Sequence, residues 1–382
     1  MDSRLIWLAL AAFVGATEGG LIAGLLPSIG QDMAVSPGQT GLLVFCYSLA
    51  YAIGTPLLAV LLGGVGRRRI LAGAEFGIAV TALLLAIAPF FEWMLAARTL
   101  LAIAAGTFTS TALATAAMLA PIGQRGRYMQ TIGVGQSLAA LVGVPLGAWV
   151  ATQFSWRIDY AAIAVMAAAG ALALYLKLPR GMPGDTQTMR DRARVLGNPG
   201  VVPALICTML VMAGSAPATI YVGALLTEFG IGLAAIPLVL LAGGIGALAC
   251  SMSAGRLADH FGNRPAIVAA LLATLVVLAV YTLVPHIEAG WRLAITLGAV
   301  VVHGYVVWSY SIAVQSEMAH MAPSSVPVAI SLNMAAFNIG MAIAAAGGGF
   351  VVDRWGAATL PQVGAPLVMV ALAIWLFRRR RS

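Results

Sequence analysis

Pro179-Arg180-Gly181-Met182-Pro183-Gly184-Asp185-Thr186-Gln187-Thr188-Met189-Arg190-Asp191-Arg192-Ala193-Arg194-Val195-Leu196-Gly197-Asn198-Pro199 is the longest polar break in a chain of 382 residues. To either side the sequence is apolar almost without relief. Hydrophobic residues make up 61% of the chain and charged residues only 9%, against roughly 25% charged in ordinary soluble domains. No single soluble core absorbs that much apolar surface, so the solvent is lipid. Runs of about 20 apolar residues, the length a helix needs to cross a hydrocarbon core of roughly 30 Å, recur from end to end. They place spans at about 5–29, 38–62, 69–91, 93–120, 128–152 and 159–178 before the break. After it come about 200–226, 233–254, 265–285, 291–316, 326–351 and 361–377. The reading is an all-α membrane protein: a six-helix bundle over 1–178, a linker loop over 179–199, and a second six-helix bundle with a short basic tail over 200–382.

Charge orients the spans. Cytoplasmic loops collect Lys and Arg, and with the N-terminus inside, 17 of the 21 basic residues fall on that face: Arg4, Arg67, Arg68, Arg69, Arg125, Arg127, Lys177, Arg180, Arg190, Arg192, Arg194, Arg256, Arg264 and Arg378 to Arg381. Arg157, Arg292 and Arg354 fall outside, and Arg98 falls within a span. An odd span number scatters these charges over both faces, so both termini are expected in the cytoplasm. The net charge of +8 is then mostly a topology signal, with some attraction to anionic lipid in the bilayer. Nucleic-acid binding needs a basic soluble module, and none is visible. The apolar run after Met1-Asp2-Ser3-Arg4 reads as an uncleaved first helix, and the expected home is a bacterial inner membrane. Cys46, Cys207 and Cys250 lie inside spans and are odd in number, which argues for packing rather than a disulfide framework.

The halves echo each other. Gly66-Arg67-Arg68 answers Gly262-Asn263-Arg264, Trp93 answers Trp291, and Ser155-Trp156-Arg157 answers Asp353-Arg354-Trp355, all at offsets of 196 to 199 residues. Two similar halves around a cytoplasmic loop mark many secondary transporters, whose substrate sites lie at the repeat interface near the midplane.

Gly255-Arg256-Leu257-Ala258-Asp259-His260-Phe261-Gly262-Asn263-Arg264 resembles the Gly-x-Leu-Ala-Asp-Arg-x-Gly-Arg loop motif of the major facilitator superfamily. The resemblance covers essentially the whole chain and is nearest to the twelve-span drug:proton antiporter branch of sugar-efflux and multidrug exporters. Glu18 with Ala23-Gly24-Leu25-Leu26-Pro27 is similar to that branch's first helix, and Arg98 to Gly106 to its fourth-helix arginine motif. Gly135, Gly143, Pro145 and Gly147, followed by Trp156-Arg157, look like the antiporter motif. The first copy of the loop motif departs from the pattern, with Gly63 where an aspartate is expected ahead of Gly66-Arg67-Arg68-Arg69. The resemblance implies the facilitator fold, a monomer as working unit, export, and loop residues Gly63, Arg67, Gly255, Asp259, Gly262 and Arg264 in conformational gating.

Two charged side chains lie deep in spans. Glu18 is about fourteen residues into span 1, roughly 20 Å from the inner face; Arg98 is six residues past Glu92, roughly 9 Å below the outer face. The two sit at similar depth. Intramembrane charges usually face a partner or a cavity, so Glu18 and Arg98 are expected to pair, directly or through water, and to couple protonation to helix movement. The alternative is that Arg98 snorkels outward and steadies span 4. Glu75, six residues after Arg69, is expected in a structural ion pair with the cytoplasmic arginines. His303, Tyr305, Trp308 and Tyr310 in span 10 and Asn333, Phe337 and Asn338 in span 11 suit a cavity for an amphipathic ligand, with Tyr47, Tyr51 and Tyr221 as further candidates. Interhelical packing uses the same residue types. Gly135, Gly143, Pro145 and Gly147 read as mechanical, since glycines admit close helix approach and proline removes a donor. The same holds for Gly243-Gly244-Ile245-Gly246 and Gly347-Gly348-Gly349.

Rival classes fare worse. Glu317-Met318-Ala319-His320 has a carboxylate-metal spacing but lacks the second copy such sites need, so no metal, cofactor or enzymatic activity is expected. The only lysine is Lys177, preceded by Leu176, which leaves no phosphate loop for an ATP-driven pump. The expectation is a proton-coupled secondary transporter that exports a small amphipathic molecule by alternating access. A passive uniporter, or a proton symporter for uptake, is the alternative.

Overall fold

The computed structural model describes residues 3–121, 124–184, 195–198 and 200–377, with side chains at 3, 125, 126, 254–261 and 324 outside the description. Among the described residues, twelve helices are long and apolar enough to cross a membrane: α1 (Arg4–Met33), α2 (Pro37–Leu61), α3 (Arg67–Ala86), α4 (Phe91–Leu119), α5 (Arg127–Gln153), α6 (Trp156–Lys177), α7 (Val201–Ile220), α8 (Leu233–Ser253), α9 (Asn263–His286), α10 (Ala289–Met321), α11 (Val326–Trp355) and α12 (Ala357–Phe377). Large apolar side chains on their outer faces stay exposed, among them Phe76, Leu83, Val165, Leu172, Val276 and Phe350. A water-soluble chain would not tolerate so continuous an apolar surface; a chain dissolved in lipid has no reason to hide it.

Helix ends follow local chemistry. At α2, Ser36 accepts from the Gln39 amide at 3.1 Å while the Gln39 side chain accepts from the Ser36 amide at 2.9 Å, a reciprocal cap with Pro37 in the first turn. The α10 helix outruns its expected end near residue 316 because nothing breaks it before Pro323; hydropathy falls at Glu317, but helix propensity does not.

The described residues group into two compact units, one drawn from Met1–Ala34 and Cys46–Thr188, the other from Val35–Phe45 and Met189–Ser382. Chain order places Val35–Phe45 within 1–178, yet its contacts are with the second half. The Asp353 carboxylate accepts from Ser36 Oγ at 2.8 Å and from the Gly38 amide at 2.9 Å, and Gly41 lies against the Tyr221 hydroxyl with no room for a Cβ.

In the first unit α1 and α5 run side by side at a fixed offset. A Cβ on Gly135, Gly143 or Gly147 would fall 2.3 Å from the Ala9 carbonyl oxygen, 2.2 Å from Thr17 Oγ1 and 2.7 Å from Leu21 Cδ1 respectively. Each pair differs by 126 in number, so the helices are parallel and the glycine stripe is what lets them touch. The α5 helix is locally widened ahead of its proline: residues Ala139–Gly143 make a π-turn, with the Val144 amide donating to the Ala139 carbonyl, immediately before Pro145. In the second unit Gly246 meets the Val301 carbonyl and Gly304 the Gly243 carbonyl, joining α8 to α10, while Gly348 and Gly349 meet Tyr221. A Cβ on Gly347 meets nothing within 4 Å.

Candidate functional site: a buried ion pair in the first unit

Helix α1 carries Glu18 and α4 carries Arg98 to a common depth, and the two meet. Arg98 Nη1 donates directly to Glu18 Oε1. The side chains are 1% and 0% exposed. The same guanidinium lies 4.4 Å from the centroid of the Tyr47 ring and 3.5 Å from the Tyr160 hydroxyl. The pair is only half satisfied: Glu18 Oε2, Arg98 Nε and the neighbouring Thr17 Oγ1 are buried without a hydrogen-bond partner among the described residues. Taking two charges out of water is expensive, and their attraction repays it only when the remaining lone pairs and protons are also met. Such a pair holds while both charges are present and weakens when either is neutralised.

Sequence reasoning did not single out Tyr160. It lies four residues after Trp156 on α6, and that helical spacing was the available signal. Of the other first-unit candidates, Tyr51 lies next to Tyr47 with ring centroids 6.2 Å apart.

In the second unit the candidates divide between bonded and open positions. His303 Nδ1 is 3.2 Å from the Tyr281 hydroxyl, Tyr305 shares a 2.9 Å hydrogen bond with Ser253, Thr208 donates to Asn333 Oδ1 at 2.8 Å, and Tyr221 donates to the Ala345 carbonyl. Asn338 donates to the Met334 carbonyl one turn back. Tyr310 is buried, Phe337 is half-buried, and Trp308 is exposed. Tyr281, Ser253 and Thr208 are the partners that residue type alone did not reveal.

Glu75 corrects an expectation. Arg67 is engaged with the chain after α6, its amide on the Met182 carbonyl and its Nε on the Pro183 carbonyl, and Arg68 stacks on the Tyr175 ring at 4.4 Å. Among the described residues neither Glu75 oxygen has a hydrogen-bond partner, although the side chain is fully buried. It faces α6, where a Cβ on Gly170 would lie 3.2 Å from its Oε1.

At the loop motifs, Arg264 Nη2 donates to the Trp375 and Leu376 carbonyls at 2.9 and 3.1 Å, pinning the start of α9 to the last turn of α12. Arg67 ties the start of α3 to the chain leaving α6 in the corresponding way, 197 residues earlier. Gly262 has φ +84°, a backbone that favours glycine. Gly63 closes the turn after α2, its amide on the Val60 carbonyl. Gly255 lies on the helix that continues α8, and the side chain of Asp259 is outside the described residues.

The outer ends break the expected echo. Trp156 is buried and donates to Asp32 at 3.2 Å, and Arg157 pairs with the same carboxylate. Asp353 instead serves Ser36 and Gly38, and Trp355 is exposed. In the second unit the acidic cap comes from Glu228, which accepts from the Ala357 and Ala358 amides at the start of α12.

The sequence profile of the Major Facilitator Superfamily matches residues 8–323 and again 204–382. The chain belongs to that superfamily. Full-length facilitator relatives include the inner membrane transport protein YdhP of Escherichia coli (strain K12), 27% identical over 99% of this chain and 96% of that protein. The MFS-type transporter YbcL of Bacillus subtilis (strain 168) is 28% identical over 97% and 94%. A chloramphenicol resistance protein of Streptomyces lividans is 30% identical over 72% of this chain and 71% of its own. A crystal structure of the nucleoside transporter NupG superposes with a TM-score of 0.77 at 14% identity, covering 98% of this chain and 99% of that one, which establishes the fold. This facilitator is therefore a multi-pass membrane transporter, with twelve helices among its described residues long and apolar enough to span the bilayer.

Proposed function

We propose that this facilitator exports a small amphipathic molecule in exchange for protons across a bacterial inner membrane, with Glu18 as the proton-binding group and Arg98 as its counter-charge. The observation that carries the reading is the half-satisfied ion pair buried between α1 and α4. Protonating Glu18 removes the charge that holds Arg98, and a guanidinium left without its anion in a low-dielectric site must find other partners. Tyr47 and Tyr160 already touch it. That sequence links proton binding to a rearrangement of α1, α2, α4 and α6, as alternating access requires. Each proton moved inward supplies about 2.3 kcal/mol per 100 mV of membrane potential.

The chloramphenicol resistance protein among the relatives supports a neutral or weakly polar amphiphile as cargo. Tyr47, Tyr51, Tyr221, His303, Tyr305, Trp308, Tyr310, Asn333, Phe337 and Asn338 are the residues proposed to contact it, the arrangement being a monomer that works alone. The test is transport in proteoliposomes carrying an imposed pH gradient, over a panel of chloramphenicol, cationic dyes and sugars. Export coupling predicts accumulation that collapses when an ionophore dissipates the gradient. Accumulation against the opposite gradient indicates a symporter, and equilibration that ignores the gradient indicates a uniporter; either overturns the proposal.

A further inference from the structure

Between α2, α3 and α4, toward their inner ends, lies a cleft of about 320 Å³ lined by Leu58, Leu62, Ile70, Leu100, Ile103 and, at one end, Arg69. Its origin is local. The α2–α4 seam is closed higher up, where a Cβ on Gly54 would meet Ile103 at 2.8 Å and one on Gly106 would meet Thr55 at 1.8 Å. Pro56 follows inside α2, and from Leu58 onward the seam is open. In the second unit α8 and α10 likewise touch at Gly246 and Gly304.

The three consecutive arginines at the start of α3 are used differently. Arg67 is tied to the Pro183 carbonyl and Arg68 to the Tyr175 ring, whereas Arg69 is exposed, lines the cleft, and has no hydrogen-bond or ion-pair partner among the described residues. Gly73, one turn further in, also lines the cleft, and a Cβ there meets nothing within 4 Å. Leu57, Leu61 and Leu100, beside and within the opening, are at least half exposed, so the cleft opens onto the lipid-facing surface. An apolar slot at inner-leaflet depth with one free cation at its polar end matches an amphiphile bearing a single anionic head and an apolar chain.

We propose that this cleft binds an anionic phospholipid of the inner leaflet, its acyl chain between α2, α3 and α4 and its phosphate on Arg69. The basic inner face draws such lipids to the site, and the apolar walls then favour the chain over any soluble anion. The site is separate from Glu18 and Arg98 and stands whether or not transport is proton-coupled.

Native mass spectrometry of the purified protein tests this with phosphatidylglycerol and phosphatidylcholine of identical chains, each alone and with inorganic phosphate added. The wild type should retain phosphatidylglycerol about fivefold more than phosphatidylcholine, the factor that corresponds to about 1 kcal/mol for one basic residue at an anionic surface. Phosphate should not displace it. Arg69→Gln should erase the preference, and Gly73→Leu, which fills open space, should reduce retention of both lipids. Equal retention of the two lipids by the wild type, displacement by free phosphate, or unchanged retention in both variants would overturn the proposal. The wild-type comparison needs no variant, so a folding defect in either leaves it decisive.

Discussion

Arg98 donates to Glu18 across α1 and α4 where neither side chain meets solvent, and each retains an unmet polar atom, Nε on one and Oε2 on the other. A buried pair of this kind contributes little net stability while intact, but removing one partner strands the other charge at a cost of about 3–5 kcal/mol. Arg98→Leu should therefore lower the unfolding midpoint in detergent sharply, whereas Arg98→Leu combined with Glu18→Leu should recover most of the loss. Additive effects in this double-mutant cycle would show that the pair is not energetically coupled.

The glycine stripe of α5 makes a position-specific prediction. Gly135→Ala places a Cβ 2.3 Å from the Ala9 carbonyl oxygen, and backbone cannot rotate away, so the helices must separate at a cost of about 1–3 kcal/mol. Gly133→Ala, with nothing within 4 Å, should be neutral or stabilising by up to about 1 kcal/mol through helix propensity. Thermal denaturation of the two variants in the same detergent separates the outcomes; equal shifts would refute the close-contact account.

Glu75 is buried, and neither of its oxygens has a partner among the described residues. Glu75→Gln keeps its shape and removes any charge to be stranded, so the midpoint should stay or rise. Gly170→Ala, whose Cβ would stand 3.2 Å from Glu75 Oε1, should lower it, and less so on a Glu75→Ala background. A drop of several degrees for Glu75→Gln would mean that the carboxylate charge is used.

Asp353 holds the segment that opens α2 through Ser36 and Gly38. Hydrogen bonds to a charged acceptor contribute about 1.5–3 kcal/mol when well formed, and less at an exposed site such as this one. Asp353→Ala should speed hydrogen exchange at the Gly38 amide by about fivefold, which is about 1 kcal/mol, and leave amides in α4 unchanged. Unaltered exchange at Gly38 would show that the carboxylate does not hold the segment.

Much of this architecture is legible in the sequence because bilayer thickness and loop charge are strong, one-dimensional constraints. Span length, the polar break at 179–199 and the arginine distribution need only counting. Depth is legible for the same reason: a rise of 1.5 Å per residue puts Glu18 and Arg98 level, and they touch. Direction around a helix is harder to read, because it depends on which neighbour packs there. That is why Glu75 was expected among the arginines although it faces Gly170, and why Tyr160 went unnoticed. The offset that pairs Trp156 with Trp355 likewise counts position along the chain, and it misses that Asp353 has taken Ser36 and Gly38 as partners while Glu228 supplies the cap.

The most direct test of proton coupling through Glu18 compares two modes of transport in proteoliposomes, gradient-driven accumulation and substrate exchange without a gradient, for the wild type and Glu18→Gln. The account predicts that the variant loses gradient-driven accumulation by at least about tenfold while continuing to exchange substrate, since a neutral side chain at 18 mimics the protonated form. A variant that still accumulates substrate in proportion to the gradient would contradict it.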